Sequence, residues 1–131
     1  MKKRGILNAQ LSYLIAALGH KDTFMIGDAG MPIPDGVEIV DLILTSGVPT
    51  FKQVLDAVLE DACVEGYYLA HEIKDYNPEL EAYIKAALPE ADAEYMPHDD
   101  LKKESGKCKF AIRTGEFSPY PNVILRAGVV F

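Results

Sequence analysis

Near the start of the chain a histidine and an aspartate stand on either side of a short apolar stretch. In Gly19–Gly36, GHKDTFMIGDAGMPIPDG, His20 precedes Thr23-Phe24-Met25-Ile26 and Asp28 follows it. An imidazole changes charge near neutral pH, and a carboxylate accepts hydrogen bonds from hydroxyls or orients a nearby base. Such a pair offers proton transfer to and from a polar substrate. The stretch between them is apolar and partly β-branched, as a buried strand would be. Four strand residues span only about 13 Å, so the two groups converge only through a bend or a neighbouring element. His20 has a structural reading as well: a histidine in the last turn of a helix gains about 0.3–1 kcal/mol from the helix dipole.

A second set of chemically useful groups lies in Arg113-Thr114-Gly115-Glu116-Phe117-Ser118-Pro119-Tyr120-Pro121-Asn122. This is a strand end followed by a loop stiffened by two prolines. It presents a carboxylate, a hydroxyl, a phenol and a carboxamide, a combination that suits a sugar: the aromatic face packs on C–H groups while the polar groups pair with hydroxyls. A rigid turn with one packed tyrosine explains the same residues. The two remaining histidines, His71 and His98, follow strand-like segments and suit either the surface or a site. His20, Asp28 and His98 are potential metal ligands, but no two of them share the i, i+3 or i, i+4 spacing of a helical ligand pair, so no metal is expected. Phosphate-binding loops, dinucleotide fingerprints, zinc-protease motifs and nucleophile elbows have no match.

The elements that must carry these groups are legible from periodicity. Leu11, Leu14, Ile15 and Leu18 form one helical stripe, with Asn8 as N-cap and Gly19 placed to end the helix in the left-handed conformation. The spacing predicts a strand at Thr23–Ile26 and an apolar run over Val37–Leu44. Thr50 and Gln53 fit a capping box ahead of a helix carrying Phe51, Val54, Leu55, Val58, Leu59 and Ala62. Gly66–Ala70 reads as a strand, and Asn77-Pro78 opens a third helix with the stripe Leu80, Tyr83, Ile84, Ala87, Leu88. A short strand at Ala93–Met96, a brief helix capped by Asp99, a strand at Lys109–Arg113 and a long apolar run from Asn122 to Phe131 complete the chain. Strands and helices alternate without linker or repeat, so residues 1–131 read as a single compact α/β domain, a central mixed sheet covered by helices. An end such as Val129-Val130-Phe131 needs cover, from a central position in the sheet or from another subunit, and homo-oligomerisation follows as an expectation.

Composition narrows the partners. The net charge of −7 over 131 residues excludes a nucleic-acid surface and docking on anionic membranes. No segment has the length needed to span a bilayer. The basic start Lys2-Lys3-Arg4 resembles a secretory signal, but Asn8, Gln10 and Ser12 interrupt the apolar region behind it. The expected location is the cytoplasm, with Cys63 and Cys108 as reduced thiols.

Taken in order, Lys2-Lys3-x-Gly5-Ile6-Leu7-Asn8, Leu18-Gly19-His20, Asp28-Ala29-Gly30-Met31-Pro32-Ile33-Pro34 and Arg113–Asn122 resemble the D-ribose pyranase family, relatives of L-fucose mutarotase, along the whole chain. The resemblance implies interconversion of β-pyranose and β-furanose D-ribose without a cofactor, in a ribose-pyranase-like α/β fold. It implies a decamer of two pentameric rings with sites where subunits meet. It further implies His20 as the catalytic acid/base, and Asp28, His98, Tyr120 and Asn122 as sugar contacts. Two positions depart from the family pattern: Pro121 stands where a small residue such as Ala is expected, and Gly27 where Ala is more usual. A mutarotase acting on fucose or another sugar, and a non-catalytic sugar-binding protein, are the alternatives.

Overall fold

In β1 (Thr23–Gly27) the side chains alternate between two buried faces. Phe24 and Ile26 enter one apolar cluster and Met25 the other, and all three are fully buried. A strand buried on both faces carries no polar alternation, which is why this segment reads as a continuous apolar run. The computed structural model describes all residues from Met1 to Phe131. It contains one six-stranded mixed sheet. β2 is Glu38–Asp41, β3 Val64–Ala70, β4 Asp92–Met96, β5 Phe110–Arg113 and β6 Val123–Ala127, and their order across the sheet is β2-β5-β1-β6-β3-β4.

β6 runs antiparallel to both its neighbours, β1 and β3, whereas the β1–β5, β2–β5 and β3–β4 pairs are parallel. Five strands therefore end at one edge of the sheet, and β6 starts there. The larger cluster packs one face of the sheet against α1 (Ala9–Ala16), α2 (Phe51–Asp61) and α4 (Pro78–Ala87), through Leu11, Val54, Leu55, Val58, Leu80 and Ile84. The smaller cluster joins Met25, Ala111 and Ile124 on the opposite face to Leu101 of α5 (His98–Glu104).

The helix starts follow their capping chemistry closely. Asn8 Oδ1 accepts from Leu11 N–H, and the Thr50/Gln53 capping box is complete in both directions. Other local expectations fail for identifiable reasons. α1 ends at Ala16 with Ala17 as C-cap, two residues short of Leu18, and Gly19 does not adopt the left-handed conformation. Lys21 takes it instead, with φ 70°, because its N–H is drawn to the carbonyl of Ala127, 2.8 Å away at the end of β6. His20 thus lies in a turn beyond the helix, not in its last turn. The Asn77 side chain makes no cap bond, since its amide donates to Ser118 Oγ and to the Pro119 carbonyl. A one-turn helix, α3 (Ile73–Tyr76), precedes it. α5 begins one residue before Asp99, with Pro97 at the N-cap position and the Glu72 carboxylate accepting the His98 N–H.

The long terminal run divides. Val123, Ile124 and Leu125 are fully buried, while Val130 and Phe131 lie beyond the sheet, fully or almost fully exposed. Phe24 stacks on Phe110 with ring centroids 5.0 Å apart in the middle of the larger cluster. Phe24→Ala is expected to lower stability by about 3–5 kcal/mol through lost burial and the cavity left behind. Chemical denaturation at fixed protein concentration measures it.

Candidate active site

β1 delivers Asp28 to the edge where the parallel strands end, and β6 begins with Asn122 beside it. The Asn122 side chain bonds both the backbone and the side chain of Asp28 across 94 residues of sequence. Asn122 Oδ1 accepts the Asp28 backbone N–H at 2.9 Å, and Asn122 Nδ2 donates to Asp28 Oδ2 at 2.9 Å. The other carboxylate oxygen of Asp28 accepts the Gly30 N–H at 2.8 Å, closing the turn. Asn122 is buried, and these two bonds fix the carboxylate while one N–H of Nδ2 and one lone pair of Oδ1 remain for a ligand.

An open cavity of about 560 Å³ is lined by Asp28, His98, Tyr120 and Asn122, with Glu116 and Phe117 at the loop side. His98 enters at the start of α5, its ring perpendicular to that of Tyr120 at a centroid distance of 5.0 Å. Tyr120 sits in the left-handed region with φ 54°, and its ring also meets Tyr76 at 5.4 Å. The bonds from the Asn77 amide to Ser118 and Pro119 fasten the loop just before Tyr120, while His98 and Tyr76 pack against the ring of this strained residue. Burial lowers the basicity of His98, helped by the nearby Lys102 ammonium and opposed by Glu72, Asp28 and Asp99. Its Nδ1 is buried without a partner. Desolvation disfavours the imidazolium, so His98 faces the cavity as a neutral ring at neutral pH.

His20 lies elsewhere. It precedes β1, whereas the cavity follows it, and five strand residues separate the two ends by about 17 Å. Within one chain its Nε2 bonds Glu65 Oε2 at 2.9 Å, and its side chain is about half exposed at 47%. Four of the five site residues expected from the sequence thus meet at one edge of the sheet, and the fifth stands at the other. His71 turns away from the cavity and stacks on Tyr95.

Some positioning groups had no local signal. Glu72 holds the His98 backbone from 26 residues away, and Glu116 bonds the Phe51 N–H at the start of α2. Only the fold makes these neighbours. At Gly27, a Cβ would stand 3.1 Å from Asn122 Oδ1 and 3.2 Å from Met31 Cβ. The glycine lets the carboxamide seat tightly, and an alanine there needs both neighbours to give by a few tenths of an ångström.

The sequence profile of the RbsD / FucU transport protein family matches residues 1–130. The chain belongs to this family. Among its members, a D-ribose pyranase of Limosilactobacillus fermentum is 50% identical over 131 residues, covering all of both chains. One from Pediococcus pentosaceus is 49% identical with the same coverage. The structure of Bacillus subtilis RbsD complexed with D-ribose superposes with a TM-score of 0.96 at 44% identity, again over all of both chains. A fucose mutarotase of Streptococcus pneumoniae in complex with L-fucose shares the fold, with a TM-score of 0.80 at 22% identity over 95% of each chain.

NMR titration of the histidine rings is expected to place His98 below the ordinary imidazole value of about 6.5. The unfolded chain then takes up this proton first, so stability falls as the pH drops from about 6.5 through the lowered value. His98→Gln removes that part of the pH dependence, read from denaturation midpoints.

Proposed function

We propose that the chain interconverts the β-pyranose and β-furanose forms of D-ribose by acid/base opening and re-closure of the hemiacetal ring. One observation carries this reading. A fixed carboxylate, a carboxamide, a tyrosine ring and a neutral imidazole converge on one open cavity, in a chain 50% identical over its full length to a D-ribose pyranase. The polar members match sugar hydroxyls, and the Tyr120 ring offers a face to the sugar's C–H groups.

The chemistry needs only proton movement. A base takes the proton of the anomeric hydroxyl, its electrons form the carbonyl, and the bond from C1 to the ring oxygen breaks. The ring oxygen takes the proton and becomes the C5 hydroxyl. Attack by the C4 hydroxyl on C1 reverses these steps and yields the furanose. Both oxygens involved in opening are bonded to C1, so one imidazole serves as base towards the first and acid towards the second. We assign this role to His20, and sugar binding to Asp28, His98, Tyr120 and Asn122. Holding the open chain in place lets it rotate and re-close without leaving.

His20 of the same chain stands a strand length from the cavity, so the assignment requires His20 from a neighbouring copy. The exposed apolar residues Leu7, Tyr13, Leu44, Val130 and Phe131 give the molecule surface suited to such contacts. We therefore propose a closed homo-oligomer, a decamer of two pentameric rings, with each site shared between copies. No helix is long and apolar enough to cross a membrane. A cytoplasmic location accords with two free thiols, Cys63 and Cys108, the latter pushed up to about 11 by burial.

Saturation-transfer NMR between the resolved pyranose and furanose signals of ribose tests the activity. His20→Ala is expected to slow exchange by about 10²–10⁴-fold while ribose still binds. An unchanged rate removes His20 from the chemistry, and acceleration of fucose anomer exchange alone removes ribose as substrate. Mixing refolded His20→Ala with Asp28→Ala is expected to restore part of the activity that each lacks, because a shared site regains both native halves at some interfaces.

A further inference from the structure

At the edge of the sheet opposite the cavity, His20 is built into a charged cluster that the reaction scheme does not yet use. The backbone around it is pinned to β6: Lys21 N–H bonds the Ala127 carbonyl at 2.8 Å and Ala127 N–H bonds that of Asp22 at 2.8 Å. Asp22 Oδ2 accepts the Gly19 N–H at 2.9 Å and closes the turn. What remains free is the rotation of the imidazole itself. Glu65, near the start of β3, supplies the contact that fixes it.

The two oxygens of Glu65 are divided between two partners. Oε2 meets His20 Nε2 at 2.9 Å, and Oε1 accepts from Arg126 Nε at 3.2 Å. Arg126 is in turn held by the Tyr68 hydroxyl at 3.3 Å, with Asp92 at 3.6 Å and Glu94 at 3.8 Å. Its guanidinium can lie flat on β3 because its cross-strand partner is Gly66, where a Cβ would come within 2.5 Å of Nη2. The charged group in contact with the ring is Glu65, and the shallow pocket beside it is lined by Lys21, Glu65, Asp92 and Arg126.

We infer that Glu65 is a positioning residue for His20: it holds the ring as the Nε2–H tautomer and leaves Nδ1 as the nitrogen that exchanges protons with the sugar. A carboxylate only accepts hydrogen bonds, so the nitrogen facing it carries the proton. Glu65 stays ionised, since the hydrogen bond from His20 and the neighbouring Arg126 guanidinium hold its pKa below the ordinary carboxylate value. Nδ1 has no partner within the chain, so its lone pair is available to a neighbouring copy's sugar. When Nδ1 takes the proton from the anomeric hydroxyl, the imidazolium forms beside an anion already in place, with no group to reorganise. Arg126 keeps that anion from turning towards solvent.

This rests on the assignment of His20 as the acid/base, and the experiment separates the two. Protein labelled with [15N]histidine is examined in its assembled form above the titration range, with His20→Ala identifying the His20 signals. The wild type is expected to show His20 with its proton on Nε2. Glu65→Gln is expected to lose that preference and to slow ribose exchange by about ten- to a hundredfold, less than a fully buried orienting carboxylate gives because the ring is half exposed. Arg126→Gln is expected to give a smaller loss in the same direction. A wild-type ring protonated mainly on Nδ1 overturns the inference without any variant, and so covers the case of a Glu65 variant that fails to assemble. An assembled Glu65→Gln protein with unchanged tautomer and rate overturns it too, even where His20→Ala is inactive. Wild-type exchange in His20→Ala overturns both this inference and the assignment beneath it.

Discussion

The insertion of β6 between β1 and β3 is the constraint on which the rest depends. It is the one strand that opposes the other five, and its Val123-Ile124-Leu125 segment is fully buried. Pairing with β1 on one side and β3 on the other closes the sheet late in the chain, and the β1 contacts span more than half the sequence. Because it runs backwards, its start lies where the parallel strands end and its end lies where they begin. Asn122 is therefore placed beside Asp28 at one edge, and Arg126 beside Glu65 at the other. A single strand serves both the cavity and the histidine cluster.

The two edges are built on different physical terms. At the cavity, a buried carboxamide fixes one aspartate through two hydrogen bonds, and burial keeps His98 neutral. Such a surface binds a neutral, hydroxyl-rich molecule without a net change of charge. At the opposite edge the groups are charged, half exposed and interlinked, with carboxylates on either side of Arg126. In the proposed scheme, that arrangement accommodates the proton that His20 gains and loses. Separating the binding surface from the proton-transferring group and reuniting them between copies makes assembly a condition of activity in the proposed scheme.

The loop from Thr114 to Asn122 shows how rigidity is obtained without regular structure. The Thr114 hydroxyl donates to the Gly27 carbonyl, Glu116 closes the start of α2, and Asn77 holds Ser118 and Pro119. Each bond joins the loop to a different element, so Tyr120 keeps its left-handed backbone and its ring stays against His98 and Tyr76. The prolines restrict the unfolded loop as well, lowering the entropy lost on ordering.

The sequence by itself determined the α/β class, the buried character of β1 and β6, the start of α2 at its capping box and the presence of two polar sets, because periodicity and capping act over a few residues. The ordered motifs also pointed to the family whose profile covers residues 1–130. Tertiary structure alone decided the shortening of α1, since the pull on Lys21 comes from Ala127, and the use of Asn77 as a loop clamp instead of a cap. It decided that Asp28, His98, Tyr120 and Asn122 meet while His20 stands a strand length away with Glu65. The direction of β6 set that division. Strand direction and sheet order are fixed by pairing between distant segments, and no local pattern of residue types carries that information.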